Sequence, residues 1–600
     1  MPAGGHHGRY LRVDLDRGTS TPLPLTDDVL RRFVGGVGLG TWLLMHESPA
    51  GVDPLAPEAA LVIALSPLVG TPLTTSAKFA VVAKSPLTNR IGDSLASDRF
   101  AIELKGLGLD ALVVRGAAES WSLIVLDDGE VRYEDASDLV GVPAAEAERL
   151  VKARLGKAFT FFGIGPAGEN LVRFAVISGD GRHAGRGGLG AVFGAKRLKG
   201  IAVRGTEKTP LADPRRVVEL SRDLSARSLG DGTAKYRELG TVANVLVFNR
   251  LGALPTRNFQ ESSFEGAEAV SGEAFHADEA GRMRKHCAAC TIGCEHVFQT
   301  KGGRGVRLEY EGLFALGPLC GIDDKETILE AAARCDELGL DVISAGGTAA
   351  FSMECGERGL LDDVPAFGDG EGLVALLEDI AHRRGRGDLL AEGSRRAAER
   401  IGGEAPSFAC HVKGLELPGY EPRALQAMAL GLAVGTRGAD HNRSGAYEDD
   451  FRPGANRLEA DPSKGAAAAA SEDRAALLDS LVLCKFLRGV FEELYAECAV
   501  LLSAVTGWDV DADELRTAAE RVVTARKLFN VREGWTREED TLPDRFLEEP
   551  LPDGPVAGAS LSAPGLNRMI AAYYAARGWT REGDVPSAAV SRLGLEDLAR

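Results

Sequence analysis

No cysteine precedes residue 287 in this 600-residue chain, and only nine occur in all. So sparse a supply excludes a disulfide-stapled fold. Confined to the second half, it points instead to local chemistry. Positive charge is also short: 69 Lys and Arg face 87 Asp and Glu, a net charge of −18. That leaves no bulk field to neutralise a phosphate backbone and excludes a general nucleic-acid binder. No run approaches the roughly 18 uninterrupted apolar residues of a membrane helix. The start, Met1-Pro-Ala-Gly-Gly-His-His-Gly-Arg-Tyr10, has no apolar signal region. A cytoplasmic protein with no membrane partner is expected. Hydrophobic residues make up 44% and charged residues 26%, enough apolar material for ordinary globular cores. At about 100–200 residues per domain, three or four domains are expected.

What is present changes texture near Pro210. Before it, short β-rich runs alternate with glycine: Tyr10-Leu-Arg-Val-Asp-Leu15, Leu61-Val-Ile-Ala-Leu65, Phe79-Ala-Val-Val-Ala83, Ala111-Leu-Val-Val-Arg115 and Leu123-Ile-Val-Leu126. Their β-branched content and the Gly/Asp/Pro clusters between them predict strands and turns. After Pro210, helical periodicity predicts helices over 213–229, 325–340, 371–384, 388–400, 471–505 and 511–529, with no further strand-rich block. The alanine run Ala466–Ala470 is expected as an exposed loop or a helix start. The fold class is α+β: a β-rich domain at 1–208 packed with two mainly helical domains, 209–415 and 416–600.

His286-Cys287-Ala-Ala-Cys290-Thr-Ile-Gly-Cys294 spaces three thiols within eight residues. The small residues Ala288, Ala289 and Gly293 let the chain curl around one centre. An iron–sulfur cluster needs a fourth thiolate from elsewhere. Among Cys320, Cys335, Cys355, Cys410, Cys484 and Cys498, Cys484 stands out because it closes Asp479-Ser-Leu-Val-Leu-Cys484. A zinc site using His286 or His296 and three unliganded buried cysteines are the competing readings.

Ala184-Gly-Arg186-Gly187-Gly188-Leu-Gly-Ala-Val192, followed by Lys196, Arg197 and Lys199, combines free backbone N–H groups with cations. It suits a phosphate-bearing ligand or simply a tight turn. It is neither a Walker loop nor a dinucleotide fingerprint. Asp336-Glu-Leu-Gly-Leu340-Asp341 and Asp479-Ser-Leu-Val-Leu483-Cys484 share the form Asp-x-x-x-Leu-(Asp/Cys). They read as paired acceptors for a pseudo-symmetric ligand bearing N–H groups, or as helix-end aspartates. Glu309-Tyr-Glu311 and Asp440-His441 supply a carboxylate and an imidazole, an acid–base pair suited to neutral pH.

Together these motifs resemble the aldehyde:ferredoxin oxidoreductase family of tungsten-pterin enzymes. The resemblance also rests on Gly35-Gly-Val-Gly-Leu-Gly40, Ala83-Lys-Ser-Pro-Leu-Thr88, Gly165-Pro-Ala-Gly-Glu-Asn170, His411-Val-Lys-Gly-Leu-Glu-Leu-Pro-Gly-Tyr-Glu-Pro-Arg423 and Ala525-Arg-Lys-Leu-Phe-Asn-Val-Arg-Glu-Gly-Trp535, in order over 35–552. It implies a tungsten (or molybdenum) bis-pterin buried between the three domains, with Mg as a candidate cation at the pterin phosphates. It implies a [4Fe–4S] cluster on Cys287, Cys290, Cys294 and Cys484. Pterin contacts are implied at Lys78, Ser94, Arg186, Gly187, Gly188, Asp336, Leu340, Asp341, Asp479 and Leu483, and proton handling by Glu311, with Glu309 as the alternative, and His441. The implied partners are an aldehyde and ferredoxin or another electron acceptor, with a homodimer allowed.

The chain departs from the family pattern where Lys78 replaces an arginine, where Leu95, Ser97 and Asp98 follow Gly92-Asp-Ser94, at Val37, and at Val482 opposite Gly339. Lysine keeps the charge but loses the planar fork, and Asp98 is expected to add negative charge near phosphates. Two further readings stay open. One is a pterin and cluster subunit of a larger complex acting on another acid or thioester. The other is a non-catalytic iron–sulfur protein that has lost the pterin.

Overall fold

Two six-stranded mixed sheets stand face to face in the first third of the chain. The structure, a computed structural model, describes residues 2–277 and 281–599. The first sheet runs Thr19–Pro24, Arg9–Asp14, Ala111–Arg115, Leu61–Ala64, Phe79–Lys84, Ile91–Ala96; the second runs Arg182–Ala184, Ile177–Gly179, Thr160–Gly163, Leu198–Arg204, Ser122–Asp127, Glu130–Asp135. Each contains one parallel pair, Arg9–Asp14 with Ala111–Arg115 and Leu198–Arg204 with Ser122–Asp127. Leu61–Ala64 and Phe79–Lys84 are buried along their whole length, which is why they read as unbroken apolar runs. Between the sheets, Ile63, Val81, Phe162 and Ile201 share one core, and Phe79 meets Phe162 edge-on at 4.8 Å.

The outer face of the first sheet carries the helix Gly36–Glu47. A Cβ at Gly40 would lie 2.6 Å from Val82 Cγ2, so only glycine lets this helix approach so closely. That core continues without a break into Ala476, Val522 and Phe529 of the C-terminal helices. The sheets are therefore clamped by helices from the far end of the chain.

The predicted helices appear as Pro214–Arg227, Lys325–Leu338, Gly370–His382 and Ala512–Arg532. Two expected helices are interrupted. The 388–400 stretch splits into Arg386–Leu390 and Ser394–Ile401 around Gly393, whose φ is +85°. The 471–505 stretch stops after Ser463–Leu481 at Val482 and resumes at Leu494–Thr506. The alanine run lies within Ser463–Leu481, near its start. A second difference is a three-stranded antiparallel sheet, Arg282–Lys285, Glu295–Gln299 and Gly305–Arg307. It overturns the expectation of no further strand block. Its first strand is exposed at all four residues, so it carries no inside–outside alternation to read. Among the described residues, no helix is long and apolar enough to cross a membrane.

Candidate active site

A cavity of about 650 Å³ lies where the first sheet, the glycine loop and the helical segments meet. Its wall includes Lys78, Ser94, Arg186, Glu311, His441, Asp479, Leu483, Cys294 and Cys484. The volume lies within the range of small-molecule and cofactor sites.

Glu311 stands in the first turn of the helix Tyr310–Leu316. Its Oε2 accepts the Gly419 N–H at 3.0 Å, and Tyr310 donates its hydroxyl proton to the Gly419 carbonyl. A Cβ at Gly419 would fall 2.8 Å from the Tyr310 ring, so glycine is needed for this double contact. His441 opens the short helix His441–Ser444, whose cap Asp440 accepts the N–H groups of Asn442 and Arg443. The His441 ring lies against Tyr420 with centroids 5.1 Å apart. His441 Nδ1 and Glu311 Oε1 are 3.4 Å apart, and neither atom has a hydrogen-bond partner in the protein. Burial pushes the Glu311 carboxyl up to about 7. Burial, reinforced by the Lys485 cation, holds the His441 imidazole neutral, well below its ordinary range. A carboxyl poised near neutrality facing a neutral imidazole can accept, hold and return one proton.

Around this pair the wall is a buried ionic lattice. Asp93 is flanked by Arg443 and by Arg526, the latter at 2.6 Å, while Arg437 donates to its carbonyl. Burial opposes ionisation of Asp93, yet Arg443, Arg526 and Arg437 outweigh it and hold the carboxyl at about 2. Arg186 donates to the carbonyls of Ala439 and Glu416 at 2.6 Å, and lies 3.3 Å from Asp341 and 3.5 Å from Asp440. Arg443 Nη1 lies 2.9 Å from Asp479 Oδ2. Burial raises the Asp479 carboxyl while Arg443 pulls it back.

The four cysteines Cys287, Cys290, Cys294 and Cys484 are free and half-buried. The thiol of Cys290 is pushed up to about 11 by burial, then by Cys484 and Cys287. That of Cys294 is raised by burial, then by Glu309 and the other three sulfurs. The four sulfurs therefore share one electrostatic neighbourhood. Thr75, held at φ +65°, joins both segments. Its N–H donates to the Ala289 carbonyl at 2.6 Å, and its hydroxyl accepts the Cys484 N–H at 3.2 Å. His286 Nδ1 is engaged by the Cys290 carbonyl at 3.1 Å and His296 Nε2 by the Tyr236 carbonyl at 3.3 Å. Among the described residues, no group of three or more His, Cys, Asp or Glu side chains gathers as ligands of a single ion.

The expected pterin contacts divide. Lys78, Ser94, Arg186, Asp479 and Leu483 line the cavity, and Ser94 Oγ accepts the Arg186 N–H at 3.1 Å. Asp341 caps the helix Val342–Glu357 and stands behind Arg186. Asp336 is turned toward His183, 3.3 Å away, and Leu340 is buried in a bridge with Ala175. The Gly187 carbonyl accepts the Ser85 hydroxyl proton, and a Cβ at Gly188 would overlap the Arg173 carbonyl. Neither glycine is on the cavity wall. The neighbouring Gly185 is, and an added Cβ there meets nothing within 4 Å. Asp98 is not on the wall either: it lies beneath Gly179, and burial raises its carboxyl to about 7.

An anionic ligand rich in N–H groups fits this wall. The side chain of Lys78 lines the cavity and makes no hydrogen bond or ion pair with the described residues. Arg437 Nε is a buried donor without a partner, and Asp479 Oδ2 an acceptor without a hydrogen bond. Arg186, Arg437, Arg443, Arg474, Lys235, Lys485, Arg488 and Lys78 face the cavity against Glu309, Glu311, Glu448 and Asp479. Sequence reasoning did not single out Asp93, Arg443, Arg526, Lys485 or Thr75 as site residues. Of these, Asp93 lies in Gly92-Asp-Ser94 and Arg526 in the 525–535 segment.

Two family models match the chain: aldehyde ferredoxin oxidoreductase, N-terminal domain, over residues 10–205, and aldehyde ferredoxin oxidoreductase, domains 2 and 3, over 220–595. The tungsten-containing aldehyde ferredoxin oxidoreductase of Pyrococcus furiosus is 39% identical across 99% of this chain and 100% of its own length. The enzyme of that name from Thermococcus kodakarensis has the same identity and coverage. The WOR-like subunit of an aliphatic sulfonate oxidoreductase from P. furiosus is 30% identical across 99% of this chain and 98% of its own. Among solved structures, the BamBC active-site complex of benzoyl coenzyme A reductase superposes with a TM-score of 0.86 at 23% identity, covering 100% of this chain and 98% of that one. That last likeness shows the fold.

Proposed function

The chain belongs to the aldehyde ferredoxin oxidoreductase family, and from that premise we propose that it is a cytoplasmic enzyme oxidising an aldehyde to a carboxylic acid. The observation that carries this reading is the confrontation of Glu311 and His441 inside a cavity that Cys294 and Cys484 also line. Proton handling and electron exit thus share one space. The balance is R–CHO + H₂O → R–COO⁻ + 3 H⁺ + 2 e⁻.

A tungsten (or molybdenum) bis-pterin bound against Lys78, Arg186, Asp479 and the open face of Gly185 would supply a two-electron acceptor. A [4Fe–4S] cluster held by Cys287, Cys290, Cys294 and Cys484 would release those electrons singly to ferredoxin or a similar acceptor. Four thiolates are the usual ligand set of such a cluster. A Mg ion at the pterin phosphates would add positive charge there.

Glu311 accepts the proton of the water whose oxygen ends in the acid. His441, kept neutral, hydrogen-bonds the carbonyl oxygen as negative charge develops there. Its Nδ1 exchanges a proton with Glu311 across the 3.4 Å gap. The ionic lattice through Asp93 and Asp440 fixes the loop that carries His441, so the pair is presented at constant geometry. The aromatic residues Phe248, Tyr310 and Tyr420 on the wall exclude bulk water from the reacting carbon.

The test is aldehyde-dependent viologen reduction by holoenzyme with tungsten or molybdenum and iron bound. Glu311→Gln is expected to lower kcat by about 10²–10⁴-fold at unchanged metal content. Because the base must be ionised, wild-type kcat rises with pH through about 7, the Glu311 value. Retained turnover in the glutamine variant removes Glu311 from the chemistry.

A further inference from the structure

We propose that the exposed edge strand Arg282–Lys285 is the landing face for a small, acidic electron-carrier protein of the ferredoxin class, which takes electrons from the iron–sulfur site through the Cys287–Cys290 loop. The proposal rests on the function above and extends it to the exit face.

The strand lies at the edge of the three-stranded sheet, paired on one side only, with Glu295–Gln299. All four residues, Arg-Met-Arg-Lys, are exposed. Arg282, Arg284 and Lys285 have no hydrogen-bond or ion-pair partner among the described side chains. Neighbouring cations are neutralised: Arg182 by Glu295 and Arg304 by Glu337. Edge strands often carry Lys and Arg simply to discourage strand pairing. Here the cations surround Met283, which is 54% exposed, and an apolar centre ringed by charge is the composition of a transient protein interface.

The position of the strand decides between those readings. Arg282–Lys285 runs directly into His286 and Cys287. In this loop Cys294 faces the cavity with Cys484, whereas His286 and Ala289 are exposed and Cys287 and Cys290 half-buried. Electrons therefore enter on the cavity side and leave where the basic strand begins. The chain as a whole is acidic, with a net charge of −18. An acidic carrier is repelled over most of that surface and steered to a local basic spot. Each aldehyde yields two electrons, so a one-electron carrier must dock and leave twice per turnover. A few solvent-exposed charges suit that cycle, because they raise the association rate without a slow release.

Holoenzyme and its R282E/R284E/K285E variant are titrated calorimetrically with an acidic bacterial ferredoxin at about 0.05 M and about 0.5 M salt. Wild-type affinity is expected to fall at least about tenfold across that range. The variant is expected to bind at least about tenfold more weakly at low salt, with a flattened salt dependence. Equal binding by variant and wild type overturns the proposal. R282Q/R284Q/K285Q guards against a collapsed strand: with wild-type iron content it gives an intermediate loss, and undiminished binding overturns the dock equally. Dye reduction by wild type without ferredoxin binding defeats the dock alone; no dye reduction with any aldehyde defeats the function on which it rests.

Discussion

The turns Asp336–Asp341 and Asp479–Cys484 have the same backbone and different chemistry. Each ends a helix, Lys325–Leu338 or Ser463–Leu481, on a left-handed residue: Gly339 at φ +81° and Val482 at φ +51°. In each, that residue and the following leucine donate N–H to one carbonyl, of Cys335 or of Leu478. Each then docks on the first third of the chain. Asp341 N–H bonds the Phe174 carbonyl, and Cys484 N–H bonds the Thr75 hydroxyl. The divergence comes at the sixth position. Asp341 supplies a carboxylate to Arg186 and so belongs to the ionic wall; Cys484 supplies a thiol facing the cavity. A repeated turn thus positions one charge-balancing group and one redox ligand against a single cavity.

The largest break in that comparison is Cys484→Ala. Altering groups that merely support a metal ligand lowers affinity or activity by about 10–100-fold. Removing a proposed ligand itself should lower dye-coupled turnover by at least about 100-fold, with loss of iron and of visible cluster absorbance. Iron content equal to wild type would mean that another thiol completes the set. Asp341→Ala acts on the other turn and should leave iron content unchanged. It removes one acid from buried Arg186, which keeps Asp440 and two carbonyls. The destabilisation should therefore sit near the lower end for a broken buried pair, about 3 kcal/mol, read as a lowered thermal midpoint. Loss of iron in this variant would show that the two turns are not independent.

The sequence shows such a division only where partners lie close along the chain. Cys287, Cys290 and Cys294 announce themselves by spacing, and the buried strands by composition. The lattice on Asp93 was hidden because Arg443 and Arg526 lie 350 and 433 residues away. Thr75 was hidden because its two hydrogen bonds join loops that no local pattern connects. The break at Val482 was hidden because valine and leucine continue the helical periodicity, whereas glycine would have marked it. The same absence of a pattern concealed the strand Arg282–Lys285. Asp98 misled in the opposite direction: Ser94 and Leu95 of the same segment line the cavity, while its side chain turns beneath Gly179.

The smallest effect comes from exchanging the residues that differ at the turn itself. Gly339→Val places a β-branched side chain at φ +81°, with its Cβ 3.3 Å from the Gly165 nitrogen. The left-handed conformation alone costs about 1–2 kcal/mol, and the tight contact with backbone adds to it. Val482→Gly relieves a similar strain but removes a side chain buried between the sheets, which was contributing about 1.5–3 kcal/mol. The two terms nearly cancel. Val482→Gly should therefore shift stability by less than about 1.5 kcal/mol, and Gly339→Val should destabilise by more, both read from denaturant midpoints. Iron content should be unchanged in each, because Leu340 and Leu483 retain the same carbonyl partners. A Val482→Gly variant that loses iron would show that the valine holds Cys484 in place, and the likeness of the two turns would then end at the backbone.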